Sequence, residues 1–195
     1  MEVEKIYPPC SPFLKVKLDQ IVIDYLWTII DFAKTNNKSH KSNLVGNISK
    51  SLLLDDLDSY FYKTVCIPLV QYYRKCNPSG TDPVIQHTSL FGSDTKLTLD
   101  KIWVNYQFKN EFNPYHDHSG VYSFAIWMKI PYSSKEQHKL PQFLDIKEGD
   151  RKPGNFEFEY IDPLGQVTYF TYQLSPELEG VMLFFPAKLR HCVYP

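Results

Sequence analysis

The spacing of apolar side chains divides the chain into a helical first part and a β-rich second part. Across residues 18–33 apolar side chains recur at intervals of three and four, which predicts one amphipathic helix. The polar run 35–39 ends this helix and opens a loop. A second helix is predicted over 54–75. We expect a kink or a break in it at Pro68, because proline has no backbone N–H to donate.

After a loop predicted at 77–83, the period changes to that of strands. Five strands are predicted, at 102–108, 121–130, 156–161, 167–172 and 180–186. The second of them is almost unbroken in apolar character, as expected of a strand that is buried on both faces. The turn residues 162–165 join the third and fourth strands into a hairpin. The pattern therefore predicts a mainly β chain with N-terminal helices, in which the helices back a sandwich of sheets.

Length and composition fit one domain, with residues 1–83 as mostly helical support and 84–195 as the β part. The chain has 195 residues and 15% aromatics, which favours a β-rich core. A formal net charge of −1 predicts no nucleic-acid-binding surface. No apolar run is long enough for a membrane span, and the mixed-charge N-terminus does not resemble a secretory signal.

The cysteines form no CxxC pair, which favours reduced thiols in a reducing compartment. They are Cys10, Cys66, Cys76 and Cys192. A Cys66–Cys76 disulfide is the alternative. We expect the protein in the cytoplasm, of a cell or of a virus-infected cell.

Three histidines stand where a metal site would need them. His116 and His118 are two residues apart, so on an extended backbone both imidazoles point to the same side. His191 follows a predicted strand, and a sandwich can bring the end of that strand next to the pair. Two close ligands and one distant ligand make a facial set that leaves coordination positions open. This predicts a metal site of His116, His118 and His191.

Asp117 is the competing second ligand, because the usual non-haem iron triad has two histidines and one carboxylate. Between two histidines on an extended segment its side chain points to the opposite face, which favours His118. A bend in the segment would reverse that choice.

The residues around these histidines resemble the 2-oxoglutarate–Fe(II) oxygenases found in marine phages and bacteria. The resemblance is carried by 103–107, by 111–124 with its His-Asp-His-Ser-Gly motif, by 179–186 with Phe-Phe-Pro, by 189–195 and by 44–48. It covers most of the chain. It implies a double-stranded β-helix (a jelly-roll, cupin-like fold), Fe(II), 2-oxoglutarate and O2, and leaves the substrate unidentified.

The chain departs from this family at one point. The family has an arginine after the distal histidine that pairs with a carboxylate of 2-oxoglutarate, and this sequence stops at Pro195 before reaching it. We therefore expect a C-terminal truncation, a substitute cation or a loss of turnover. Lys129 is the preferred substitute, since Arg190 on an extended backbone points away from His191. Asn105 and Tyr122 are candidate hydrogen-bond donors to the co-substrate.

Three functions follow from these features. The first is an Fe(II)- and 2-oxoglutarate-dependent dioxygenase that hydroxylates an unidentified substrate. The second is a cupin-like dioxygenase that uses three histidines without 2-oxoglutarate, which the missing arginine favours. The third is a non-catalytic binding or structural module of a virus, which keeps the same fold.

Overall fold

A computed structural model describes residues 13–36, 38–76 and 96–195, and in that part the chain is mainly β, with antiparallel sheets and few helices. The strands are β1 (Leu14–Lys17), β2 (Lys50–Leu54), β3 (Ile102–Tyr106), β4 (Asn113–His116), β5 (Tyr122–Ile126), β6 (Asn155–Ile161), β7 (Val167–Gln173), β8 (Val181–Pro186) and β9 (Arg190–Val193). The helices are α1 (Gln20–Asn36), α2 (Ile67–Lys75) and α3 (Ser134–Gln137). None of these helices has the length and apolar character that a membrane crossing needs.

The strands form three antiparallel sheets. A three-stranded sheet has the order β1-β8-β5, a two-stranded sheet pairs β2 with β3, and a four-stranded sheet has the order β4-β9-β6-β7. Side chains alternate between the two faces of a strand, so β8 serves two cores. Met182 and Phe184 face the helices, whereas Leu183 and Phe185 face the four-stranded sheet. The three-stranded sheet is therefore the middle layer between the helices and the four-stranded sheet.

The first predicted helix is confirmed as α1. Its buried residues are Val22, Leu26, Ile29, Ile30 and Ala33, which keep the spacing of three and four that predicted it. They pack in the core that the helices share with β8.

The second predicted helix is wrong over its first part. Leu54 is the last residue of strand β2, which pairs with β3, and Leu57–Ser59 is a single 3₁₀ turn, so the helical part begins only after residue 59. The prediction at Pro68 holds, because Pro68 lies in the first turn of α2 and a π-helical turn, Tyr62–Cys66, precedes it. A wider turn at this place is consistent with the hydrogen bond that proline cannot donate.

The hairpin of β6 and β7 is confirmed, with pairing from Asn155↔Gln173 to Ile161↔Val167. In its turn, Asp162 Oδ1 accepts the backbone N–H groups of Leu164 and Gln166, and Gly165 supplies a φ of 84°.

The other predicted strands exist but differ in length, and several strands were missed. The predicted 102–108 ends at Tyr106, the predicted 121–130 is paired only over Tyr122–Ile126, and 180–186 is confirmed as β8. Four strands, β1, β2, β4 and β9, were not predicted, and β1 and β2 add β structure to the part expected to be mostly helical.

Some expectations concern cysteines or lie outside the described residues. Cys66, Cys76 and Cys192 are free thiols, so the alternative Cys66–Cys76 disulfide is wrong. Cys10, the loop at 77–83 and the boundary between residues 83 and 84 lie outside the residues that the structure describes.

Candidate metal centre

Three imidazoles meet where β4 and β9 pair in the four-stranded sheet. His116 ends β4, His118 lies in the loop that follows, and His191 is the second residue of β9. Their ring centroids lie 4.3 Å (His116 to His191), 4.9 Å (His118 to His191) and 5.1 Å (His116 to His118) apart. One nitrogen of each ring lies within 4.8 Å of the others, which makes these three residues a possible metal-binding group. Histidines that are far apart in sequence thus form one cluster.

The pairing of strands explains why the cluster forms. His116 and His191 are directly opposite each other in the antiparallel pair of β4 and β9, so both side chains leave the sheet on the same face. The backbone N–H of His118 donates to the carbonyl of Ala187 at 2.9 Å, and Ala187 N–H donates to Val121 at 2.9 Å. The loop that carries His118 is therefore fastened to the segment that leads into His191.

Each imidazole has a hydrogen-bond partner for its Nδ1. Nδ1 of His116 lies 2.7 Å from the carbonyl of Pro114, and Nδ1 of His191 lies 3.1 Å from that of Leu189. A carbonyl only accepts, so in both rings Nδ1 carries the proton and Nε2 keeps its lone pair. Nδ1 of His118 lies 2.7 Å from Ser123 Oγ, a hydroxyl that accepts equally well. The arrangement leaves three Nε2 atoms as metal donors.

Burial keeps two of these rings neutral. Loss of solvation, followed by the nearby charge of His116, lowers the pKa of His118 to about 4 and that of His191 to about 3. At neutral pH both rings therefore present an unprotonated nitrogen, which is the form that binds a metal ion.

Aromatic side chains enclose one side of the cluster. His191 is only 4% exposed. Its ring centroid lies 5.1 Å from that of Phe185, 5.6 Å from that of Phe156 and 6.1 Å from that of Phe158. His116 and His118 are half-buried, and Trp103 contacts His118 at 5.5 Å. The site is therefore closed behind His191 and accessible on the side of His116 and His118.

Asp117 is turned away from the cluster. Its Oδ1 accepts a hydrogen bond from Lys188 Nζ at 2.9 Å in an exposed ion pair, which lowers the pKa of this carboxyl. The cluster that could hold a metal ion contains His118 and not Asp117, in line with the alternation of side chains on an extended segment.

Asn105 lies on the site's side of β3. Trp103, two residues earlier on the same face of the strand, contacts His118, and Asn105 Oδ1 accepts a hydrogen bond from Ser51 Oγ at 2.7 Å. Asn105 itself is exposed, so its amide is accessible on the face of β3 that carries Trp103.

The structure does not bring Tyr122 to the histidines. Its ring packs against Phe184 at 4.9 Å and Tyr73 at 5.0 Å, in the core that faces the helices. Because side chains alternate along β5, the next residue, Ser123, takes the position beside His118.

Lys129 is not at the site either. It follows the far end of β5, where its Nζ forms an ion pair with Glu179 at 3.1 Å and its side chain is 67% exposed. His118 precedes the opposite end of the same strand. Arg190 also points away, as expected, and pairs with Glu159 at 2.5 Å while lying over the ring of Tyr115.

The sequence did not identify Ser123 and Trp103 as neighbours of His118. It also did not identify the three phenylalanines that enclose His191, which are Phe156, Phe158 and Phe185. The apolar run 121–130 predicted a strand buried on both faces, but β5 is only half-buried along its length and lies at the edge of its sheet. The run also does not tell which face meets the histidines. The alternation in β6 placed Phe156 and Phe158 on one face, and only the pairing of Phe158 with His191 shows that this face is the site's wall.

Comparison with known proteins gives no match, since no family model, no curated protein and no solved structure is similar enough to this chain to place it in a family. The residues and geometry of the site, together with the sequence motifs around the histidines, are therefore the basis for proposing a function.

Proposed function

We propose that this protein is an Fe(II)- and 2-oxoglutarate-dependent dioxygenase that hydroxylates a substrate still to be identified. One observation carries the proposal: three imidazoles converge, and their Nδ1 atoms are held by Pro114, Ser123 and Leu189, so that three Nε2 donors remain. Metal-binding histidines normally have such a partner on the second ring nitrogen, which fixes the tautomer and the direction of the ring.

The arrangement of sheets supports a double-stranded β-helix as the fold. Two antiparallel sheets, β1-β8-β5 and β4-β9-β6-β7, face each other across an aromatic core, with His116 and His191 on the inner face of the second sheet. This is compatible with a jelly-roll, in which the mouth of the barrel holds the site.

The donor set fits a divalent transition metal. Three neutral imidazoles suit iron, zinc, copper or nickel, and the choice of iron rests on the resemblance carried by residues 111–124, 179–186 and 189–195. With three neutral ligands the bound ion keeps its full double positive charge, which attracts an anionic co-substrate such as 2-oxoglutarate.

The remaining residues give the site its shape. The metal with 2-oxoglutarate would supply the activation of O2 for hydroxylation of a C–H bond. Phe156, Phe158 and Phe185 keep water from the buried side of His191, and Trp103 and Asn105 lie on the accessible side, where Asn105 offers an amide to a bound carboxylate.

Anaerobic titration tests this proposal. Purified protein receives Fe(II) and then 2-oxoglutarate, and we expect the weak visible charge-transfer band of the chelated complex. His116→Ala and His191→Ala should abolish the band. His138→Ala is the matched control, because His138 is also buried (7% exposed) but bonds to the carbonyl of Pro153, outside the cluster. A band that survives in both cluster variants would contradict the proposal.

A dioxygenase that uses the same three histidines without 2-oxoglutarate is the second candidate. The favouring observation is that Lys129 and Arg190, the cations considered for the co-substrate, are engaged by Glu179 and Glu159 away from the histidines. Fe(II) binding and O2 consumption that 2-oxoglutarate neither stimulates nor alters would select this candidate over the first.

A further inference from the structure

A buried carboxylate lies behind the metal cluster, on the other face of the four-stranded sheet. The side chain of Glu157 in β6 is 1% exposed. Its partner across the sheet is Cys192, the residue after His191, whereas Phe158 pairs with His191 itself. Since neighbouring side chains of a strand point to opposite faces, Glu157 lies on the outer face and His191 on the inner face.

Four donors from different parts of the sheet converge on this carboxylate. Tyr115 Oη donates at 2.5 Å from β4, Tyr194 Oη donates at 3.1 Å from just after β9, and Thr171 Oγ1 donates from β7. Lys152 Nζ, from the segment before β6, completes the group with a salt bridge. Glu157 thus connects β6 by side chains to β4, which carries His116, to β7, and to the residue that follows β9.

The bond to Tyr115 falls where the backbone pairing is irregular. Between β4 and β9 the register is Asn113↔Val193 and then His116↔His191, which is a shift of one residue. Tyr115 lies inside this irregular stretch and directly precedes His116. A β-bulge redirects side chains and weakens the ladder locally, so a strong side-chain bond at this point has a direct effect on where His116 is held.

We propose that Glu157, through Tyr115, is a positioning residue that holds His116 opposite His191 in the geometry that binds the metal. This inference rests on the proposed function only in requiring that the three histidines bind a metal ion. Neither Glu157 nor Tyr115 contacts the ion, because both side chains lie on the outer face of the sheet.

Two matched variants test the proposal. Tyr115→Phe and Thr171→Val each remove one hydroxyl donor from Glu157, but only Tyr115 belongs to a strand that carries a histidine of the cluster. The measurements are the dissociation constants for Fe(II) and Co(II), the visible spectrum of the Co(II) complex, and the melting temperature in chelator. We expect Tyr115→Phe to weaken metal binding about tenfold or more and to change the Co(II) spectrum. Thr171→Val should keep the metal affinity and the Co(II) spectrum close to those of the wild type, although its melting temperature should fall about as much as that of Tyr115→Phe.

Glu157→Gln separates positioning from charge. The amide oxygen of glutamine still accepts a hydrogen bond from Tyr115, so we expect metal affinity closer to the wild type than in Tyr115→Phe. Weaker binding in Glu157→Gln than in Tyr115→Phe would overturn the positioning role, and so would equal affinities in Tyr115→Phe and Thr171→Val. A wild type that binds no metal would overturn the proposed function as well, which distinguishes the two failures.

Discussion

His116 and His191 lie opposite each other on the neighbouring antiparallel strands β4 and β9, with their ring centroids 4.3 Å apart. This pairing brings together two residues that are 75 positions apart in the sequence (191 − 116 = 75). The Cβ atoms of directly opposed residues lie about 4.5–5.5 Å apart on one face of a sheet, which suits two ligands of one ion. The strand pairing therefore explains both the closeness and the common direction of these two imidazoles.

The choice between His118 and Asp117 gives the first prediction. His118→Ala should weaken Fe(II) or Co(II) binding by about 100-fold or more, because it removes one of three donors. Asp117→Asn should change the affinity less than about fivefold, since an exposed ion pair such as Asp117–Lys188 contributes no more than about 1 kcal/mol. Competition titration with a metal-indicator dye measures both. Equal losses in the two variants would show that Asp117 ligates the metal.

Ser123 gives the second prediction. Ser123→Ala removes the partner of His118 Nδ1, and we expect a 10- to 100-fold loss of metal affinity, as is usual for groups that orient a metal ligand. Tyr122→Phe is the matched control on the same strand, since its ring packs toward the helices, and it should leave the affinity unchanged. If Ser123→Ala binds metal like the wild type, the Ser123 hydroxyl has no part in orienting His118.

The cluster of His116, His118 and His191 could be predicted from the sequence because much of its signal is local. An extended backbone places residues two apart on the same side, which identifies His116 and His118 as a pair. The strand before His191 is strongly apolar, which identifies His191 as a residue at a strand end. The parts of the fold that could be predicted are also those with a local signal. Helix α1 shows a clear period of 3.6 residues, and the β6–β7 hairpin shows a clear period of two.

The residues that surround the histidines could not be predicted, because their positions depend on pairing between distant strands. Tyr122 and Ser123 are neighbours in an apolar run, and only the register of β5 against β8 decides which one faces His118. Lys129 was predicted to lie on the strand that follows the His116–His118 pair, but β5 ends at Ile126, and Lys129 lies past the end that is farther from His118. The missed strands β1, β4 and β9 have four residues each, too few to show a period.

Lys129 gives the third prediction. Lys129→Ala should leave the affinity for 2-oxoglutarate unchanged, because the ammonium group pairs with Glu179 beyond the far end of β5. The melting temperature should fall only slightly, since an exposed ion pair contributes at most about 1 kcal/mol. The charge-transfer band of the anaerobic Fe(II) complex gives the affinity. A loss of 2-oxoglutarate binding with Fe(II) binding intact would show instead that Lys129 reaches the co-substrate.

Acid sensitivity gives the fourth prediction. The pKa of a histidine in the unfolded chain is about 6.5, whereas the folded pKa is about 4 for His118 and about 3 for His191. As the pH falls below 6.5 the unfolded chain takes up protons that the folded chain does not, so stability is lost on acidification down to the folded pKa values. Between pH 7 and pH 5 this amounts to roughly 2 kcal/mol for each ring at most. The pKa of His40 is also lowered by burial, so His40 adds to the loss of stability as the pH falls.

Denaturant unfolding of the metal-free protein at pH 5, 6 and 7 measures this loss. The carboxyls of Glu111 and Glu179 have lowered pKa values, so their protonation destabilises the protein only below about pH 4.5 and does not interfere in this window. In His191→Gln one titrating ring is absent, and the free energy of unfolding should depend less on pH than in the wild type. The same pH dependence in both proteins would mean that the pKa of His191 does not change on folding, and would contradict the lowering of this pKa by burial.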